Sequence, residues 1–175
     1  MLRLGPLRLH WSLLPGAALF CALQPHPLLL AGYAAVLAAH VLGHALATAG
    51  TQARVDGVML HAFGGELLGE GAVGPVRRSL IALAGVAGQA ALIALALLLT
   101  LPPDLHDAFT RRNGIFLLLN LIPIRPLDGA LAWKLPGRLR AASRPRLVGE
   151  VHAPREVEKE VADLLRRIRG STKVR

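Results

Sequence analysis

His40-Val41-Leu42-Gly43-His44 lies inside one apolar run of this chain, and Asn120-Leu121-Ile122-Pro123-Ile124-Arg125-Pro126-Leu127-Asp128-Gly129 lies inside another. Residues four apart on a helix sit one turn apart on the same face. His40 and His44 therefore present two imidazoles in the arrangement that binds zinc in helical His-Glu-x-x-His motifs. Asp128 is the candidate third ligand. The position next to the first histidine, where the motif carries its general base, is Val41.

The surrounding composition sets the class. The chain has 175 residues, of which 53% are hydrophobic and 18% charged, and its mean hydropathy is +0.47. That is one domain's worth of material, more apolar than a soluble domain of this size. A helix needs about 20 mostly apolar residues to cross the hydrocarbon, and the long apolar runs meet that need. The expected fold class is an all-α polytopic membrane protein with about four transmembrane helices and a small β-hairpin loop. Cys21 is the single cysteine, so neither an internal disulfide nor a thiolate zinc cluster is available.

The spans are predicted at residues 11–23, 28–49, 80–101 and 114–133. Arg3 and Arg8 before the first span would suit a signal peptide. No small-x-small cleavage site follows, however, and Pro25 stands just after Gln24, so an uncleaved short span is the reading. Residues 55–63 and 66–73 are read as a hairpin turning at Gly64-Gly65, since paired glycines supply the positive φ of a tight turn. Past Pro136 the chain becomes polar. Val157, Val161, Leu164, Leu165 and Ile168 fall at helical spacing, predicting an amphipathic helix over 156–169. The expected organisation is a membrane-embedded domain over 1–135 and a basic cytoplasmic tail over 136–175.

Charge predicts the orientation. The net charge is +9, and residues 134–175 hold twelve Lys and Arg against five Asp and Glu. With four spans, Arg3, Arg8, Arg54, Arg77, Arg78 and the tail share one side. The other side receives the 24–27 turn and the 102–113 loop, where Arg111 and Arg112 accompany Asp104 and Asp107. Enrichment of Lys and Arg on the cytoplasmic side puts both termini in the cytoplasm. The same excess is explained without nucleic acid. Near an anionic lipid surface each basic residue contributes about 1 kcal/mol.

The second and fourth spans then run in the same direction. At about 1.5 Å rise per residue, His44 and His40 lie about 8 and about 14 Å from the end of their span, and Asp128 lies at a comparable depth. A carboxylate at membrane depth costs about 2.5–3.5 kcal/mol on insertion scales and marks a functional site by default. Pro123 and Pro126 interrupt the helix before it. Broken helix at that depth is tolerated where it is buried in protein or lines a watery cavity. Taken singly, the histidine pair and Asn120 have ordinary readings as hydrogen bonds between helices, and Asp128-Gly129 reads as a helix end. Taken together, they point to a metal site.

At these residues the chain resembles the site-2 proteases, the intramembrane zinc metalloproteases. That family carries His-Glu-x-x-His in one core span, and an Asn-x-x-Pro followed by Leu-Asp-Gly in another. The matching residues here are His40 and His44, then Asn120, Pro123, Leu127, Asp128 and Gly129. His10-Trp11-Ser12, Phe63-Gly64-Gly65 and Ala82-Leu83-Ala84-Gly85 extend the similarity over most of residues 8–135. The resemblance implies a site-2 protease core with zinc on His40, His44 and Asp128 and with water as a fourth ligand. It also implies single-span membrane proteins as substrates or clients, and a bacterial inner membrane as the location. Gly64 and Gly65 would belong to strands that guide the substrate, and Asn120 would line its path. Val86 stands where many relatives have proline.

The departure at Val41 bears on activity. In this chemistry zinc lowers the pKa of a bound water to about 7, and the glutamate takes the proton and passes it to the leaving amine. General acid–base catalysis is worth about 10²–10⁴-fold, and valine supplies none. The leading expectation is a zinc-binding homologue that is impaired or inactive as a protease, a pseudoprotease that holds membrane segments. The alternatives are an active protease using another carboxylate, Glu66 or Glu70, and a non-enzymatic membrane metal carrier. Among the remaining histidines (His10, His26, His61, His106, His152) only His61 is a candidate auxiliary ligand.

Overall fold

The computed structural model describes residues 1–22, 26–143 and 163–164. Most of the helix expected over 156–169 and most of the basic tail lie outside the described residues. Met1–Ala142 form one compact unit.

Two short N-terminal strands, β1 (Leu2–Leu4) and β2 (Leu7–Leu9), form a hairpin that turns at Gly5, whose φ of +61° favours glycine. Helix α1 (Leu13–Phe20) follows, and then α2 (Pro27–Thr48), started by a proline at its first turn. Strands β3 (Arg54–His61) and β4 (Gly64–Glu70) pair antiparallel, while β2 pairs parallel with β3. The result is a mixed sheet in the order β1-β2-β3-β4, with β4 at an edge. Helix α3 (Pro75–Leu98) also begins with proline. A helical run then continues through α4 (Pro103–Asp107), a π turn at Ala108–Arg112 and α5 (Asn113–Asn120). After an irregular loop come α6 (Gly129–Ala132) and α7 (Leu135–Ser143).

Several expectations change. The hairpin is present, but its turn is Ala62-Phe63, and neither Gly64 nor Gly65 has a positive φ. Those glycines are small for another reason, given below. The hairpin of β1 and β2 lies in a stretch not predicted as strand. Of the four predicted spans, two correspond to helices long and apolar enough to cross a membrane, Pro27–Thr48 and Pro75–Leu98. The first predicted span forms only the eight-residue α1. The fourth breaks after Asn120, where the loop carrying Pro123 and Pro126 interrupts it. The 102–113 segment is helical, not loop. Asp107 accepts from Arg111 and Arg112 four and five residues along, and Arg112 also donates to Phe20 O, tying this run to α1. The hydrogen bond from Arg111, with Arg112 adding to it, holds the Asp107 carboxyl down at about 2.

Beside its apolar core the chain buries a set of polar side chains and exposes many large apolar ones. His40, His44, Ser79, Gln89, Asn113 and Asn120 are buried, while Leu42, Leu46, Leu95, Leu97, Leu98 and Leu118 are exposed. Exposed apolar side chains around an interior that also holds a polar cluster are what a bilayer accommodates. At one end, Phe20, Tyr33, Phe63 and Phe116 form an aromatic cluster with ring centroids 5.2–6.0 Å apart. The Tyr33 hydroxyl donates to Ala62 O at 2.7 Å, fixing the hairpin turn on α2.

Helices α2 and α3 pack backbone to backbone. A Cβ on Gly43 would lie 2.0 Å from Ala84 O, and one on Gly88 would lie 2.2 Å from Ala39 O. Close packing through small residues is the usual means of helix association in lipid. Gly43→Ala tests it. Alanine gains at most about 1 kcal/mol of helix propensity, whereas forcing a methyl against a backbone oxygen costs about 1–3 kcal/mol or more. A net loss of stability is expected in detergent unfolding, with displacement of the histidines that flank Gly43.

Candidate metal centre

His40 and His44 point from the C-terminal half of α2 toward α3 and the loop before α6. Their exposures are 2% and 5%. Asp128 occupies the N-cap position of α6, but its side chain makes no capping hydrogen bond. Instead Asp128 Oδ2 lies 3.2 Å from His40 Nε2 and 3.3 Å from His44 Nε2, and the two Nε2 atoms are 2.9 Å apart. Bonds of about 2.0–2.1 Å to a tetrahedral zinc put neighbouring donor atoms about 3.3 Å apart. The three donors have that spacing to within a few tenths of an ångström.

The hydrogen bonds on the far sides of the rings determine what these atoms present. His44 Nδ1 faces Ile81 O at 2.7 Å. A carbonyl only accepts, so Nδ1 carries the proton. His40 Nδ1 faces Gln89 Oε1 at 3.2 Å. Asn120 Nδ2 donates to the same oxygen at 3.2 Å, which orients the Gln89 amide. In the neutral rings both Nε2 atoms therefore bear lone pairs, aimed at each other and at Asp128 Oδ2. That carboxylate oxygen is buried and has no hydrogen-bond partner. It stands at ion-pair distance from two imidazoles, and in those neutral tautomers neither ring offers it a proton. Three convergent lone pairs repel. A proton relieves one pair and leaves the third donor facing it; a divalent cation relieves all three. The residues fit a zinc ion.

The backbone makes room for the rings. A Cβ on Gly64 would meet His40 Nε2 at 2.6 Å, and one on Gly85 would meet His44 Nε2 at 2.5 Å. Gly65 serves Val41 similarly, since its Cβ would be 2.5 Å from Val41 Cγ2. Strand β4 and α3 thus press on the histidine faces from two sides, which explains Gly64 and Gly65 without any turn. Gly129 lies beneath the loop carbonyls of Leu121 and Ile122. Ser79 Oγ donates to Leu131 O at 2.7 Å, and Trp133 Nε1 donates to Leu121 O at 2.7 Å. These bonds pin α6, and with it Asp128, onto α3 and the end of α5.

Asn120 is 1% exposed and donates to Phe63 O at 2.6 Å. It joins the hairpin turn to Gln89 and also borders the cavity at the metal centre. That cavity holds about 680 Å³ and is lined by His40, His44, His61, Gly65, Glu66 and Asp128 among others. His61 sits at its wall, outside the three-donor cluster, and burial holds its pKa below the ordinary value.

No protein-family model matches the chain, and no curated protein matches it. Among solved structures, the chain is similar to a site-2 protease from Methanocaldococcus jannaschii, with a TM-score of 0.59 and 15% identity over 84% of this chain and 73% of that one. The fold is that of a site-2 protease. The two apolar helices and this fold together support a membrane protein.

Gln89 and Ile81 were not legible as functional residues in the sequence. A glutamine in an apolar span was the available signal for the first; a backbone carbonyl leaves none. Gln89→Leu removes the acceptor that holds the His40 tautomer. Loss of such a partner typically costs 10–100-fold in metal affinity, and a drop of about that size is expected in chelator competition. Gln89→Glu, which keeps an acceptor at the same place, should restore most of it. A purely structural role would predict no such rescue.

Proposed function

We propose that the protein is a site-2-protease-like membrane protein that binds zinc through His40, His44 and Asp128, engages membrane-spanning protein segments, and is impaired as a peptidase. The observation that carries this reading is the three-donor set beside Val41. Zinc, when bound, would polarise water and a peptide carbonyl. Beside it the chain offers ligands, a cavity and the β4 edge, but no proton carrier at the Val41 position. Gly64, Gly65 and Asn120 would shape the path of the client. Both termini would lie on the cytoplasmic side of a bacterial inner membrane.

Glu66 lines the same cavity, which supports a second reading: a working protease with Glu66 as its base. The two separate in one experiment. Purified protein is expected to carry about one zinc per chain, and to retain a single-span model substrate without cutting it. Cleavage abolished by both chelator and Glu66→Gln would favour the second reading. A zinc ratio near zero would overturn both.

A further inference from the structure

The rim of the cavity carries an excess of positive charge that the metal centre does not use. Arg54 opens β3, Arg78 lies in the first turn of α3, Arg125 is in the loop before Asp128, Lys134 follows α6 and Arg138 is in α7. All five line the one cavity. The carboxylates on its wall are Glu66, Glu70 and Asp128, and the last faces the two imidazoles. Arg54 is paired with Asp56 at 3.0 Å. Arg138 donates to Pro75 O and Ser79 Oγ, both neutral, and forms no ion pair among the described residues. Arg78, Arg125 and Lys134 form no ion pair among the described residues.

We propose that this rim selects membrane segments flanked by acidic residues, the flank seating against Arg78, Arg125, Lys134 and Arg138 while the segment lies in the cavity. The inference rests on the client-binding reading and adds its specificity. A peptide suits the site better than a lipid headgroup for two reasons. The cations arrive from four separate elements around a cavity of about 680 Å³, wider than one phosphate requires. The wall between them also includes residues 65–70, from the edge strand β4, and the unpaired backbone groups of a strand edge are complementary to polypeptide. Rim charges act chiefly on specificity and encounter, and they weaken with salt.

The test uses the full chain in phosphatidylcholine nanodiscs and three fluorescent single-span peptides. These differ only in a four-residue flank: acidic, Ser-Gly or lysine. The acidic flank is expected to bind about tenfold or more tighter than Ser-Gly at 50 mM salt, with the gap shrinking at 500 mM. The double variant Arg125→Glu with Lys134→Glu should reverse the order while its zinc content stays unchanged. Equal binding of all three peptides overturns this inference alone. Binding of none overturns the client-binding reading with it. If phosphatidylglycerol in the discs abolishes the acidic advantage, and does so only while Arg125 and Lys134 are present, the rim is a lipid site and the peptide assignment fails.

Discussion

Asp128→Ala is expected to leave the protein folded and without zinc. Losing a hydrogen-bond partner of a ligand already costs 10–100-fold in affinity. Losing one of three ligands should therefore cost about 100-fold or more, read as metal content after dialysis and as affinity in chelator competition. The fold should persist because Asp128 is not what holds α6. Ser79, bonded to Leu131 O, and Trp133, bonded to Leu121 O, do that, and the carboxylate makes no capping bond of its own. With α6 held by these bonds, the zinc-free variant should unfold about as readily as the zinc-free parent. Full zinc retention by Asp128→Ala would remove this carboxylate from the ligand set. A variant that no longer folds would instead assign it a structural role.

Val41→Glu is expected to raise peptidase activity toward a single-span substrate. General acid–base catalysis supplies about 10²–10⁴-fold, equivalent to about 2.7–5.5 kcal/mol of barrier. Position 41 follows His40 directly and faces Gly65 on β4, where the space is tight around Val41 Cγ2. Glutamate is unbranched at Cβ, so one of the two Cγ positions falls vacant and the carboxylate can extend along the strand. There it can accept a proton from attacking water and return it to the leaving amine. The gain should disappear on adding His44→Ala. An unchanged background rate, with zinc bound and substrate retained, would show that the chain lacks more than a base and would favour a purely binding role.

The clustering of His40, His44 and Asp128 was legible because its parts are local. A four-residue spacing places His40 and His44 on one helical face wherever the helix goes, and Pro123 and Pro126 announce a broken helix ahead of Asp128. Helix α2 and most of α3 were legible from hydropathy for the same reason. Short or interrupted segments were less so. The run at 11–23 has apolar residues enough for a span but forms eight helical residues, and the fourth span ends at Asn120. The charged 102–113 segment hid a helix, because the pairing of Asp107 with Arg111 and Arg112 becomes favourable only once the turn exists. Gly64-Gly65 imitated a turn, since sequence does not distinguish a glycine that needs positive φ from one that must admit a neighbouring ring.

The sequence by itself determined the chemical types of the three donors, the valine beside the first of them and the apolar character that calls for a bilayer. Each is a property of single residues or of neighbours within a turn. Only the tertiary structure decided which lone pairs meet. The tautomers are set by Gln89 and Ile81 O, 49 and 37 residues away from the rings they orient. Gly64 and Gly85 let strand and helix close on those rings, and Ser79 brings Asp128 to them. Interactions across such separations leave no periodic trace, because they arise only when the chain has packed.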